Sequence, residues 1–198
     1  EEFPPIPTVD DSKSVSIPSD VLKSALERVV FAAATDDSRP VLTGVNFELD
    51  KSGFTIAAAD GFRLAVEKVN FETEIIEPVK VIIPAKTLVE LQRLLVDSSS
   101  NVKLALNTNG RSARFKLDNS EVITSLVQGT FPDYDKLIPD EFSTKAEVGL
   151  TEMIQATRAA SIFARDGSGI IRLLISPQNN GHLKIISRAE EVGSNENN

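Results

Sequence analysis

There is no cysteine and no tryptophan in this sequence, and histidine, methionine and tyrosine occur once each. Without cysteine there is no disulfide framework, no thiolate metal site and no thiol nucleophile, a usage that fits a reducing compartment. One histidine, His182, cannot build a multi-histidine metal site, and any Ser-His-Asp triad has to use that single ring. No apolar run approaches the ~20 residues a membrane helix needs, and no N-terminal stretch has the basic-then-apolar layout of a signal peptide. A Walker loop, a GxGxxG after a strand, HExxH and GxSxG are all missing. We therefore expect a cytoplasmic protein with no membrane association, no catalytic residues, no metal and no cofactor. Positive charge is also short. Against 29 Asp and Glu stand 21 Lys and Arg, a formal net charge of -8 over 198 residues. By the usual footprint that total argues against nucleic acid, but what a ligand meets is the local potential of one face.

The patterning is that of a mixed α+β chain. Residues 1–13, with Pro4, Pro5 and Pro7, read as an extended linker, because each proline disfavours helix in the residue before it. Val15 to Ile17 alternate as a short strand that Pro18 ends, and Ser19 or Asp20 is placed to cap a helix. In that helix Val21, Leu22, Ala25, Leu26, Val29 and Val30 form one apolar stripe. Val41 to Leu49 reads as a strand, Asp50 to Gly53 as a turn, Phe54 to Ala58 as the return arm, and Arg63 to Val69 as a third strand. Then the plan restarts. Val81 to Ile83 is a strand closed by Pro84, and Leu88, Leu91, Leu94 and Leu95 make the apolar side of a second helix. Val102 to Leu106 and Arg114 to Leu117 flank an Asn109-Gly110 turn, and Val122 to Val127 follows as a strand.

The restart is a repeat. Ile17-Pro18-Ser19-Asp20-Val21-Leu22 matches Ile83-Pro84-Ala85-Lys86-Thr87-Leu88. A fainter third copy begins near Val148 at twice that spacing, with Met153-Ile154 answering Val21-Leu22 and Phe163-Ala164 answering Phe31-Ala32. Its strands are Ile170 to Ser176 and His182 to Ser187, around Gln178 to Gly181. Each copy alone offers one helix and one half-covered sheet, so both faces are buried only by stacking on a neighbour. Residues 14–127 thus make one domain of two copies. Residues 128–139, with Gly129, Pro132 and Pro139, are an interdomain linker, and 140–198 hold one copy, half of a further domain. The chain reads as a fragment.

Few residues suggest chemistry. Asp36-Asp37 and Glu190-Glu191 read as solvated acids, and His182 as a strand residue beside a turn. Lys23 and Arg28, Lys86 and Arg93, and Arg158 and Arg165 lie on or beside the polar sides of the three helices. Charged outer faces are what any amphipathic helix needs. If the copies stack with all helices on one side, these cations also sum into a basic strip for loose contact with phosphates. Ala59-Asp60-Gly61-Phe62-Arg63-Leu64-Ala65 is the most distinctive string, a tight turn entering a strand with Gly61 free to take a positive φ.

Three strings in order, Thr35-Asp36-Asp37-Ser38-Arg39-Pro40-Val41-Leu42-Thr43-Gly44-Val45, Ala59 to Ala65, and Gly129-Thr130-Phe131-Pro132-Asp133-Tyr134, resemble the bacterial DNA polymerase III beta subunit family, the sliding clamps. Glu2-Phe3-Pro4 and Arg188 to Asn198 resemble further stretches of that family. The resemblance implies a DNA-clamp fold, helices on one face of antiparallel sheets, and a homodimeric ring of six similar domains in the full-length protein. Residues 1–13 then end the first clamp domain, 14–127 are the middle one and 140–198 part of the third. It implies a non-catalytic processivity factor of the holoenzyme that encircles double-stranded DNA without reading its sequence. By the same resemblance Lys23, Arg28, Lys86, Arg93, Arg158 and Arg165 face DNA. Leu42, Ala59, Gly61, Phe62, Arg63, Leu64, Pro132, Lys136 and Leu137 match a groove that takes short peptide motifs of the polymerase catalytic subunit, the clamp loader and repair proteins. Phe62 stands where that family often has histidine, and Lys136 where arginine is common. The alternatives are a stand-alone protein-interaction module with no DNA role, and a small-ligand enzyme domain using Asp60, Arg63 and Asp133, which lacks any nucleophile, base or metal constellation.

Overall fold

The same Ile-Pro step opens two of the helices. In the computed structural model, which describes residues 14–71, 78–95, 100–107, 111–165, 169–177, 181–189 and 193–197, strand β1 (Ser14–Pro18) runs into helix α1 (Ser19–Val29). Strand β5 (Val79–Pro84) likewise runs into helix α2 (Ala85–Leu94). Each proline keeps an extended ψ, 133° at Pro18 and 127° at Pro84, so the chain turns from strand to helix within one residue. The expected side-chain cap at Ser19 or Asp20 is not made. Ser19 is buried, and its N–H donates to the Ser100 carbonyl at 3.1 Å, which satisfies one orphan donor of the helix start from a neighbouring segment.

Leu22, Ala25, Leu26 and Val29 of α1 are buried, as their spacing predicts. Helix α2 buries Ala85, Leu88 and Leu91, with Leu95 just beyond it. Leu94, expected on that stripe, is 45% exposed. Six residues from Leu88, it lies about 120° round the helix from it, beyond the edge of the buried stripe.

The remaining strands of this half are β2 (Gly44–Asp50), β3 (Gly53–Ala59), β4 (Leu64–Asn70), β6 (Asn101–Asn107), β7 (Ser112–Lys116) and β8 (Glu121–Ser125). The strand expected from Val41 starts late, because Pro40–Thr43 is a 3-10 turn. Pro40 favours a helical first position, the Leu42 N–H donates to the Arg39 carbonyl at 2.9 Å, and the Thr43 hydroxyl donates to the Pro40 carbonyl at 2.7 Å.

Two antiparallel sheets result, ordered β4-β3-β2-β5 and β1-β6-β7-β8. The copies interlock. β5, the first strand of copy two, pairs with β2 of copy one, and β1 pairs with β6 of copy two. Neither sheet is complete without a strand from the other copy. Alternation then sends Val45, Phe47, Leu49, Phe54, Ile56, Val81 and Ile83 inward to one core shared with Val102, Leu104, Phe115 and the two helices. Phe47 is fully buried and stacked on Phe54 at 5.2 Å between ring centroids.

The chain divides into compact units at 1–137 and 138–198. Segment 128–137, read above as linker, belongs to the first unit. In the second unit α3 (Leu150–Arg165) buries Ala160 and Ala164, and strands β9 (Ile171–Ser176), β10 (His182–Ala189) and β11 (Gly193–Asn197) form a sheet ordered β11-β10-β9. Residues 1–13, the Asn109-Gly110 turn, Gln178 to Asn180 and Glu190-Glu191 lie outside the described residues.

Candidate functional site

The turn between β3 and β4 is held from two directions. Asp60 Oδ1 accepts the backbone N–H of Phe62 at 2.9 Å and of Arg63 at 3.1 Å, and Oδ2 accepts Arg63 Nε at 2.9 Å. The Phe62 amide, aided by the Arg63 amide and charge, holds the Asp60 carboxyl below the usual carboxylate range. From the other side, Arg39 Nη2 donates to the Asp60 carbonyl at 2.9 Å. Gly61 has φ +93°, and a Cβ there would sit 2.7 Å from Arg39 Nη2. The position therefore needs glycine for its backbone and for the guanidinium beneath it. Arg63 also lies over the Phe31 ring, its Cζ 5.6 Å from the centroid. Phe62, at the tip, is 97% exposed.

Beside this turn the outer face of the β4-β3-β2-β5 sheet carries a second apolar cluster. Leu42, Ala57, Ile82, Phe131, Tyr134 and Ala34 are buried in it, with Ala59, Leu64, Val66 and Val127 half-buried at its edge. Alternation places Ala57, Ala59, Leu64 and Ile82 here, on the face opposite the core residues of the same strands. Phe131 and Tyr134 cover them, edge to face at 6.3 Å and 76°. Burial, with the negative charges of Glu48 and Asp135, pushes the Tyr134 hydroxyl up to about 12.

The nine groove candidates divide. Leu42, Ala59 and Leu64 share the cluster, and Gly61, Phe62 and Arg63 form the turn above β4. Pro132, Lys136 and Leu137 are exposed on the segment that carries Phe131 and Tyr134. Lys136 pairs with Asp133 at 2.7 Å, and the bond holds the Asp133 carboxyl below its usual range and the ammonium above its own. The residues missed were Ala34, Ala57, Ile82, Phe131 and Tyr134, and Arg39 as the clamp of the turn. The Phe-Pro-Asp-Tyr string was the available signal.

The helix cations are placed less uniformly. Arg28 reaches back to Glu67 at 2.5 Å and Arg93 to Glu90 at 2.7 Å. Such exposed pairs are weak in water and leave the cation available to a phosphate. Lys86 lines a recess of about 490 Å³ between α1 and α2, together with Glu27, Asp37 and Gln92 over an apolar floor. Lys23 is half-buried on α1, and Arg158 and Arg165 are exposed on α3.

The sheet thus carries helices on one face and a second apolar cluster on the other, and residues 16–133 match the central domain of the DNA polymerase III beta subunit. The chain belongs to the DNA polymerase III beta subunit family. It is 32% identical over 194 residues to the beta sliding clamp of Bacillus subtilis, which covers 98% of this chain and 50% of that protein. The crystal structure of the DNA polymerase sliding clamp from Bacillus subtilis matches with a TM-score of 0.89 at 31% identity, covering 99% of this chain and 51% of that one. The DNA polymerase III beta subunit structure from Thermotoga maritima matches with a TM-score of 0.87 at 27% identity, over 100% and 52% of the two chains. The sliding-clamp α+β fold expected from the sequence is the fold found. The chain spans about half the length of the curated relatives it matches.

Proposed function

We propose that this chain is part of a ring-shaped processivity clamp that encircles duplex DNA and tethers a polymerase to it. In this reading residues 14–127 are the middle clamp domain, 128–139 the interdomain segment, docked on that domain as far as residue 137, and 140–198 part of the third, and the full-length protein closes as a homodimer. The observation that carries the reading is that one sheet serves two faces. Its inner face rests on α1 and α2, which expose Arg28, Lys86 and Arg93 and carry Lys23 half-buried, and its outer face bears the Leu42–Leu64–Phe131–Tyr134 cluster. Arg158 and Arg165, exposed on α3, are the matching cations of the second unit.

A ring holds DNA by topology, so the phosphate contacts need only be weak, salt-sensitive and blind to sequence. No bond is made or broken, and the role is non-catalytic. At the outer face, Leu42, Ala59 and Leu64 with Pro132 and Leu137 form a floor for apolar side chains of a partner peptide. Gly61, Phe62 and Arg63 frame the entrance, and Lys136 flanks it. Two buried leucine-sized anchors yield ~3–5 kcal/mol before ordering costs. The occupants are short motifs of the polymerase catalytic subunit, the clamp loader and repair proteins.

The test uses a full-length clamp carrying this sequence. Leu64→Asp leaves the fold intact and lowers affinity for a fluorescent Gln- and Leu-containing peptide on the order of a hundredfold, because the new charge loses its water without gaining a partner. Lys86→Glu with Arg93→Glu leaves peptide binding intact and impairs loading and retention on primed DNA. Unchanged peptide affinity in folded Leu64→Asp refutes the groove. Unchanged processivity in the double variant refutes the DNA-facing assignment and favours an interaction module without a DNA role.

A further inference from the structure

A recess of about 350 Å³ opens where β2 and β5 meet segment 126–131, on the outer face of the same sheet. Half-buried Leu126 and Val127 contribute apolar surface above buried Ile82 and Phe131, and Asn46, Lys80, Arg111 and Gln128 the polar part. No carboxylate lines it, in a chain of net charge -8.

Two features of the lining lack a partner. Asn46 is fully buried, and its Nδ2 donates to Glu48 Oε1 at 2.8 Å, which sets the orientation of the amide. Its Oδ1 then has no hydrogen-bond partner. A buried acceptor left without a donor is destabilising, and natural structures rarely keep one without a use for it. The second feature is Arg111. It has φ +52°, the one described non-glycine residue in the left-handed region, where a side chain is strained. The Leu126 N–H donating to its carbonyl at 2.8 Å holds it there. Among the described residues its guanidinium makes no ion pair. Lys80, by contrast, bonds Glu48 at 2.7 Å. Burial pushes the Glu48 carboxyl up, but the hydrogen bonds from Lys80 and Asn46 outweigh it and keep Glu48 ionised. The uncompensated charge of the recess is therefore that of Arg111.

We infer that this recess binds an acidic segment of a partner polypeptide: a backbone N–H donates to Asn46 Oδ1, an Asp or Glu carboxylate meets Arg111, and an aliphatic side chain covers Leu126 and Val127. An inorganic anion meets Arg111 but leaves Leu126 and Val127 in water. A peptide supplies all three groups in one short stretch. Ile82, Val127 and Phe131 also belong to the cluster beneath the proposed groove, so the recess extends that surface. It uses different chemistry, and it stands whether or not the groove takes peptides.

The 198-residue chain is titrated with acetyl-Asp-Leu-Asp-amide and followed by amide and side-chain NMR shifts. Neutral acetyl-Asn-Leu-Asn-amide and inorganic phosphate serve as separate arms. The acidic peptide shifts the Asn46 side-chain amide and the backbone of 126–130, and the neutral peptide binds about tenfold more weakly, the share a charge-assisted contact supplies. Arg111→Glu weakens the acidic peptide by at least that factor, and Asn46→Leu weakens it while the melting temperature holds. Arg111 is exposed, so its variant decides the matter if Asn46→Leu does not fold. Equal binding of the neutral peptide, phosphate alone reproducing the shifts, shifts confined to other regions, or wild-type affinity in Arg111→Glu each overturns the inference.

Discussion

Tyr134 is the only tyrosine of a chain without tryptophan, so phenolate absorbance reports this one hydroxyl. It is 6% exposed, lies edge-on to Phe131 and covers the outer sheet face. Burial first, then the charges of Glu48 and Asp135, raise its pKa from 10.0 to about 12. Two pH units correspond to at most about 2.7 kcal/mol, and less where water relaxes around the ring edge, so about 2 kcal/mol is the working figure. The unfolded chain releases this proton near pH 10 and the native chain only near 12. Between those values the native state binds more protons, so this contribution is complete below about pH 10 and is lost as pH rises towards 12. Two assays read it. Phenolate absorbance of the native chain has its midpoint well above that of the urea-unfolded chain. Urea midpoints taken at about pH 9 and about pH 12 fall further for wild type than for Tyr134→Phe, by about 2 kcal/mol in ΔG. Lysines titrate in the same window, and the comparison with Tyr134→Phe cancels them. A native phenolate midpoint near 10, or equal alkaline loss in Tyr134→Phe, shows that segment 128–137 is not docked on the sheet.

The other predictions concern packing and the turn. Phe47→Ala leaves a cavity in the fully buried core against Phe54 and destabilises the first unit by about 3–5 kcal/mol in urea unfolding; a loss under 1 kcal/mol means the core collapses around the deletion. Gly61→Ala costs about 1–2 kcal/mol from its positive φ alone and also displaces the Arg39 guanidinium, so peptide affinity in the full-length clamp falls as well. Full stability and affinity in that variant contradict the geometry of the turn.

How much of this was legible beforehand depends on the range of the interaction involved. The stripe Leu22, Ala25, Leu26, Val29 is a statement about one helix, and hydrophobic periodicity alone determines it. The matching Ile-Pro steps at 17–18 and 83–84 announce a repeat and two strand-to-helix turns, because proline acts on its immediate neighbours. The Asp-Gly turn at 60–61 is equally local, since Asp60 bonds the amides two and three residues on. The clamp family, too, was carried by three short strings.

Tertiary structure decided what requires partners distant in sequence. Interlocking of the copies through β1 with β6 and β5 with β2 follows from which edges remain unpaired once two half-covered sheets meet, and no single copy encodes that choice. Leu42 looked like a strand residue and became the buried end of a 3-10 turn because Pro40 cannot donate to a ladder. Segment 128–139 looked like a linker by its glycine and prolines. Phe131 and Tyr134 nevertheless dock it on an outer sheet face that is apolar at Ala57 and Ile82, and so complete the candidate groove. Asn46, one polar residue in a run of buried ones, shows its unmatched oxygen only when β5 and segment 126–131 close around it. Local pattern determines elements because it acts through neighbours along the chain. The site depended on the tertiary structure because its parts meet only after the sheets have formed.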